Sequence, residues 1–287
     1  MKLFVFITHK TPAAKQSLLR KKLYELYLNS LNAQTYTNWK VLIIGEEERQ
    51  DDRFKVVKID AGSEVPLKEQ LKKIYDRADV ISYLEQSDFI VKLDDDDIIS
   101  PSILETMSKK DFDICFDRYH TFYDVTSGVQ TQQSRHWIPS TCIHKTQHAL
   151  APTDAAGNKN YFTNSVLYTN HADVWHVYYA DKKQVVAEKE HPVYLRVLSP
   201  TSITAGAKKL PLDRVEDVDF NDYYRYLKTF GYWQTNYTRD FDQFKSALES
   251  TWKIFSGTQQ VPIKGISGVN VIMDKIKNYA KRAGKLF

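Results

Sequence analysis

Short apolar runs alternate with amphipathic stretches along the first hundred residues. Residues 3–7 (Leu3, Phe4, Val5, Phe6, Ile7) are apolar throughout, the pattern of a strand buried on both faces. Residues 13–34 place Leu18, Leu19, Leu23, Leu26, Tyr27 and Leu31 at three- and four-residue intervals, which predicts an amphipathic helix. A second strand is predicted over 38–45, ending in Gly45, and a third over 54–59. Residues 67–78 return to helical spacing, and 89–93 to strand. Strands alternating with helices predict an α/β fold built on a mostly parallel sheet flanked by helices.

The second half is less regular. A short helix is expected at 103–107, after Ser100-Pro101 as cap and first helical residue, followed by a strand at 113–116. Residues 124–135 are polar without periodicity and read as a loop or hairpin over a site. Residues 138–144 are again strand, and 152–160 are a second loop turning at Gly157-Asn158. Residues 205–219 read as a linker to a small helical C-terminal extension. The organisation predicted is 1–205 as one α/β domain and 206–287 as the extension. Within it, Phe241, Phe244, Leu248, Trp252 and Phe255 fall on one stripe of a helix at 238–255. At that spacing they are expected in the core.

Composition adds limits. The 287 residues are 42% hydrophobic and 26% charged, with a net charge of +4, an ordinary globular balance that gives no case for nucleic acid as a partner. Cys115 and Cys142 show no metal spacing and read as free thiols in a reducing, cytoplasmic setting. No stretch reaches the roughly 20 apolar residues that span a bilayer. The charge is unevenly placed. In residues 270–287, Lys275, Lys277, Lys281, Arg282 and Lys285 oppose a face of Ile272, Met273, Ile276, Tyr279 and Leu286. Such a helix suits peripheral contact with an anionic membrane surface, or packing on the protein's own body.

The chemistry concentrates in Leu93-Asp94-Asp95-Asp96-Asp97-Ile98-Ile99-Ser100-Pro101, directly behind the predicted strand 89–93. Adjacent carboxylates repel one another and resist desolvation unless a cation lies among them. Hard oxygen donors suit Mg²⁺ or Mn²⁺. The plainer reading is a solvated acidic turn. This segment resembles the Asp-x-Asp motif of family-2 glycosyltransferases with the GT-A fold. Gln34, Tyr36, Asn38 and Trp39, leading into the apolar run 41–44, are similar to a second family pattern.

The resemblance implies a metal-dependent, inverting transfer of sugar from a nucleotide-diphosphate donor, a UDP-sugar first, to a saccharide or lipid-linked acceptor. It places Asp96 and Asp94 on the metal, with Asp94 and Asp95 near the donor. It assigns nucleotide contacts to Thr8, Glu46 and Arg77, with Lys73 in reserve. The Asp-rich turn of the family is here Gly45-Glu46-Glu47-Glu48. Asn170-His171-Ala172-Asp173-Val174-Trp175 resembles the segment of the catalytic base, with His171-Ala172 where the family has Glu, so Asp173 is the expected base. Its plainer role is a helix cap. The stretch 190–204 is similar to the strand and turn that close the family's domain. It offers His191 as a further metal ligand and Arg196 as a phosphate contact.

Two rivals stay open. A sugar-phosphate nucleotidyltransferase needs a Gly-rich loop near the first strand, and Thr8-His9-Lys10-Thr11-Pro12 has none. A non-catalytic sugar- or metal-binding module would use the same carboxylates without turnover. No HExxH, GxSxG or P-loop motif appears.

Overall fold

The computed structural model describes residues 1–12, 16–49, 51–60, 63, 65–135, 138–150, 175, 178–202, 218–228 and 238–256. Its centre is a seven-stranded sheet. Strands β1 (Phe4–His9), β2 (Trp39–Ile44), β3 (Phe54–Val57) and β4 (Phe89–Lys92) lie in the order β3-β2-β1-β4, all parallel. Successive connections run outward to β3 on one side and then cross to β4 on the other. The sheet therefore reverses its winding between β1 and β4, where α/β proteins open a crevice beyond the strand ends. Phe4, Phe6, Val41, Ile43, Phe89 and Val91 face one hydrophobic layer; Val5, Ile7, Leu42, Ile44 and Ile90 face the other. Burial on both faces explains why 4–7, 41–44 and 89–91 read as apolar runs.

Beyond β4 the sheet continues with β9 (Ile143–Lys145), β6 (Ile114–Asp117) and β10 (Gln184–Ala187). β9 runs antiparallel to both neighbours, and β10 is parallel to β6. A second, four-stranded sheet has the order β5-β11-β7-β8, from β5 (Ile98–Ile99), β11 (Tyr194–Leu198), β7 (Tyr119–Asp124) and β8 (Val129–Ser134). The chain passes between the sheets at Arg118. The polar stretch expected as a loop or hairpin is the β7–β8 hairpin, turning at Gly128 with φ of +71°.

Helix α1 (Leu18–Asn32) starts at Ser17, whose hydroxyl accepts from the Arg20 N–H at 3.2 Å, so it is shorter than the expected 13–34. The single helix expected at 67–78 is two, α2 (Leu67–Tyr75) and α3 (Ala78–Glu85). The described remainder contains α4 (Ile103–Ser108), α5 (Thr146–Ala149), α6 (Phe220–Lys228), a 3-10 turn (Arg239–Phe241) and α7 (Asp242–Ser256). Phe241, Phe244, Leu248, Trp252 and Phe255 are all buried, in one cluster with Leu19, Leu23 and Leu26 of α1 and with Leu195 and Val197 of β11. The aromatic stripe is thus core, and it joins the C-terminal helix to the α/β body. Asp173 and residues 270–287 lie outside the described residues.

Two buried groups give the fold opposing pH responses. Asp117, at the end of β6, accepts from Val193 N–H at 2.8 Å and Tyr194 N–H at 3.4 Å, fixing the start of β11. Burial pushes its carboxyl up to about 7. A raised carboxyl contributes stability at low pH that is lost as pH climbs from about 4 to about 7. Burial pushes His144 down to about 3, held between Cys142 Sγ at 2.9 Å and Tyr179 Oη at 2.8 Å. Its contribution is present above about 6.5 and lost towards acid. Asp117→Asn keeps the shorter bond and removes the titration. The stability difference between variant and parent should therefore grow by on the order of 4 kcal/mol in the variant's favour from pH 4 to pH 8. Urea unfolding across that range checks it, and a pH-independent difference contradicts it.

Candidate functional site

The acidic loop leaves the sheet directly beside the end of β1. Ile7 is the Cα partner of Lys92, and Leu93 N–H donates to Ile7 carbonyl at 3.0 Å. Asp94–Asp97 therefore emerge next to Thr8, His9 and Lys10, at the reversal of the sheet. On the other flank, Gly45 ends β2 with φ of +149°. A Cβ there would lie 2.9 Å from Lys10 Cβ and 3.0 Å from its carbonyl oxygen. Only glycine lets the two strand ends approach so closely.

The loop's counter-charge is Arg20. One guanidinium nitrogen bonds Asp96 Oδ2 at 2.5 Å; the other bonds Asp95 Oδ1 at 2.5 Å and Thr11 Oγ1 at 2.6 Å. Asp95 Oδ2 also accepts from Thr11 N–H at 2.7 Å. Asp95 is 5% exposed and Arg20 8%, so the fork lies inside the protein. Burial works against the Arg20 charge, but Asp96 and Asp95 outweigh it and raise its pKa. Asp97 turns away and accepts from Val197 N–H of β11 at 2.9 Å. Burial, with Asp96 and Asp94 nearby, pushes it well above the carboxylate range. Arg196, on β11, keeps its charge despite burial, supported by Tyr226, Tyr194, Asp97 and Asp94.

Asp94 and Asp96 stay available. The Asp94 side chain is 46% exposed, 3.4 Å from Lys92 Nζ, and Lys92 holds its pKa low. Burial raises Asp96 to about 6 against the pull of Arg20, and its Oδ1 has no hydrogen-bond partner among the described residues. Two carboxylates with open oxygens fit a small hard cation that completes its shell with water and phosphate oxygens.

A second wall is polar and ordered. Glu47 accepts from the Tyr24 hydroxyl and from Lys10 Nζ at 3.1 Å, and takes the Glu48 and Arg49 N–H groups at 3.0 and 3.1 Å. Burial alone would raise its carboxyl; Tyr24 and Lys10 overcome that and hold it low. Lys10 Nζ lies 4.5 Å from the Tyr24 ring centroid, and Tyr24 stacks on Tyr27 at 5.6 Å. His9 Nε2 meets Tyr75 Oη at 2.7 Å. Burial and Lys92 lower the imidazole to about 3, so it is neutral at physiological pH.

Several expected positions differ. Thr8 is fully buried, its hydroxyl between Tyr27 Oη at 2.6 Å and Leu93 carbonyl at 3.0 Å, so it braces the wall. Both Asp95 oxygens are engaged, so it anchors the loop. Glu46 is exposed, and its neighbour Glu47 carries the organised contacts. Arg77 is not brought to the loop: it forks onto Asp79 at 2.9 and 3.1 Å, where Lys55 of the edge strand also pairs at 3.0 Å. His191 Nδ1 faces Asp240 at 3.0 Å, with Ser100 Oγ 3.3 Å from the same carboxylate. Among the described residues no three His, Cys, Asp or Glu side chains form a metal-binding group, so the expected Asp96–Asp94–His191 trio does not assemble. Arg20 was the residue that sequence reasoning missed. The one signal for it was the demand of four adjacent carboxylates for a cation.

The fold and site define an α/β protein with an acidic crevice at its sheet reversal. No family model matches the chain, and no curated protein does. Among solved structures it is similar to TarS of S. aureus, at 13% identity and TM-score 0.44, covering 91% of this chain and 46% of that one. It is also similar to the glycosyltransferase GlyE of Streptococcus pneumoniae TIGR4, at 9% identity and TM-score 0.39, covering 80% and 63%. A third is the galactosyltransferase LgtC in complex with donor and acceptor sugar analogues, at 10% identity and TM-score 0.38, covering 84% and 99%. The chain thus spans less than two thirds of TarS and of GlyE. These likenesses are distant, and the functional reading rests on the crevice. Among the described residues, no helix is long and apolar enough to cross a membrane.

Proposed function

We propose that the chain is a GT-A-like, metal-dependent glycosyltransferase that moves a sugar from a nucleotide-diphosphate donor to a saccharide or lipid-linked hydroxyl, with inversion. The observation that carries this reading is the pair of carboxylates with open oxygens, Asp94 and Asp96, in a loop that Arg20 braces through Asp95 and Asp96 at the sheet reversal. A loop built only as a solvated turn has no need of a buried arginine fork.

Asp94 and Asp96 would hold Mg²⁺ or Mn²⁺, which supplies charge stabilisation to a leaving diphosphate. Asp95 and Asp97 keep the loop in place through Arg20 and β11. Glu46, exposed beside the Glu47 turn, is available to the donor's nucleoside, and Tyr24, Lys10 and Glu47 shape that wall. Asp173 takes the proton of the acceptor hydroxyl as its oxygen bonds to the anomeric carbon and the sugar–phosphate bond breaks. Inversion follows from a single displacement.

The test is the thermal midpoint of the full chain with UDP, GDP, CMP or dTDP, each with Mn²⁺, Mg²⁺ or EDTA. One diphosphate should stabilise the protein only with metal, by about 2.7 kcal/mol at a hundred times its Kd, and Asp96→Ala should abolish the shift. No shift with any nucleotide makes the loop an acidic turn. Residues 270–287 are proposed to bind anionic membrane, which their basic amphipathic sequence supports. Deleting them should abolish sedimentation with phosphatidylserine vesicles; undiminished sedimentation rejects that role.

A further inference from the structure

Arg118, Arg135 and Arg196 share one face of the second sheet. In the β7–β8 hairpin His120 is the Cα partner of Gln133, and Arg135 N–H donates to the Arg118 carbonyl at 2.9 Å. Arg118 and Arg135 therefore stand directly opposite each other at the mouth of the hairpin. Side chains alternate along a strand, which puts both on the face of His120 and Phe122. Arg196 of β11, the partner of Phe122, joins them there. At the far end of this face Phe122 and Leu198 are covered by Tyr223 and Leu227 of α6. The arginine end is open: Arg118 is exposed, and Arg135 and Arg196 are half-buried. We propose that this basic end binds an anionic group, a phosphate or a carboxylate, carried by the acceptor.

Two observations support it. The first is charge. Like charges directly opposite across an antiparallel pair repel, and burial and the Arg196 charge both lower the Arg135 pKa. Arg118 makes no ion pair among the described residues. A bound oxyanion relieves that repulsion and matches the guanidinium fork two oxygens at a time.

The second is position. Ile90 of β4 and Ile114 of β6 both partner His144 of β9. Four residues further on, Asp94 and Arg118 leave the sheet level with one another, two strand spacings or about 10 Å apart. Val197 N–H holds Asp97, so Arg196 adjoins the same loop. The Lys10–Glu47 wall lies at the ends of β1 and β2, on the opposite side of the loop. A donor with its nucleoside on that wall and its diphosphate at Asp94 and Asp96 leaves the β6 side to the acceptor. Naming the acceptor rests on the transferase reading; the anion site rests on the arginines alone.

The experiment is ligand-observed NMR with titration calorimetry on the full chain. The probes are sn-glycerol 3-phosphate, glucuronate and uncharged glycerol, and the metal-dependent nucleotide shift is measured on the same samples. At least one charged probe should bind and glycerol should not; the tighter charged probe tells phosphate from carboxylate. Arg118→Gln should weaken that binding by about ten- to a hundredfold, as expected for loss of a charge-assisted hydrogen bond. Arg135→Gln should act likewise, and both variants should keep the nucleotide shift. If Arg135→Gln does not fold, the exposed Arg118 decides. No binding of either charged probe, or equal affinity in Arg118→Gln, overturns the proposal. A nucleotide shift lost in these variants gives the arginines to the donor and overturns it as well. If the parent chain binds an anion through Arg118 but shows no nucleotide shift, the transferase reading fails and the anion site stands.

Discussion

Arg20→Met lowers the thermal midpoint by about 10 °C and is the most destabilising single change expected in the crevice. The arginine is 8% exposed and forks between Asp95 and Asp96 while holding Thr11. Its removal leaves buried carboxylates facing one another without counter-charge. Breaking a buried pair in this way costs about 3–5 kcal/mol, and each kcal/mol shifts the midpoint of a domain this large by roughly 2–4 °C. Lysine does not restore it, because one ammonium cannot serve two carboxylates and a hydroxyl in a planar fork. The loss carries a pH signature. The Asp96 carboxyl, raised by burial to about 6 in the intact protein, gains protons more readily once Arg20 is gone. The deficit should therefore shrink from pH 8 to pH 5. Divalent metal should recover part of it, since Asp96 is shared between the arginine and the proposed ion. Differential scanning fluorimetry across pH, with and without Mg²⁺, measures all three effects. A midpoint within 2 °C or so of the parent at pH 8 would show that the fork contributes little.

With Asp173 as the proposed base, Asp173→Asn should reduce kcat by about 10²–10⁴-fold while leaving nucleotide binding intact. An acceptor hydroxyl attacks slowly while it keeps its proton, and a positioned base contributes rates of that order. The amide occupies nearly the same volume and cannot accept the proton. The loss should fall on kcat, with the metal-dependent nucleotide shift in thermal midpoint unchanged, which separates a base from a donor contact. Initial rates with the donor class named by the nucleotide panel give the answer. Turnover within tenfold of the parent would assign the base to another residue, and an unchanged protein with no turnover to lose would be a binding module.

β1, β2 and β4 were legible because their apolar runs are buried on both faces, whereas β3, at the sheet edge, is only partly buried at Phe54, Lys55 and Val56. Phe4, Val5, Phe6 and Ile7 have no polar side to blur the pattern, and the same holds for Val41, Leu42, Ile43 and Ile44. The acidic loop was legible for a local reason: it follows its strand without a gap, so strand end and carboxylates could be placed together. Elements with weak local signatures were not readable. β5 has two residues, β10 alternates at an exposed edge, and the antiparallel direction of β9 is fixed by its neighbours β4 and β6. The division of the expected helix at 67–78 into two depends on a break at Asp76 and Arg77 that periodicity does not register.

The site divides the same way. Its charge came from neighbours in sequence, Asp94 to Asp97. Its brace came from Arg20, 75 residues before Asp95 in the chain, and from Val197, 100 residues beyond Asp97. Which carboxylates are tied and which stay open was settled by those distant partners. Arg77 and His191 illustrate the converse: each has suitable chemistry, and packing gives each a different carboxylate, Asp79 and Asp240. Residue type and local pattern encode the sheet core and the charge of the loop, because burial and electrostatic repulsion act between neighbours. Pairing across the chain needs the folded geometry, because a hydrogen bond extends only about 3 Å and nothing in residue order states which distant groups come within it.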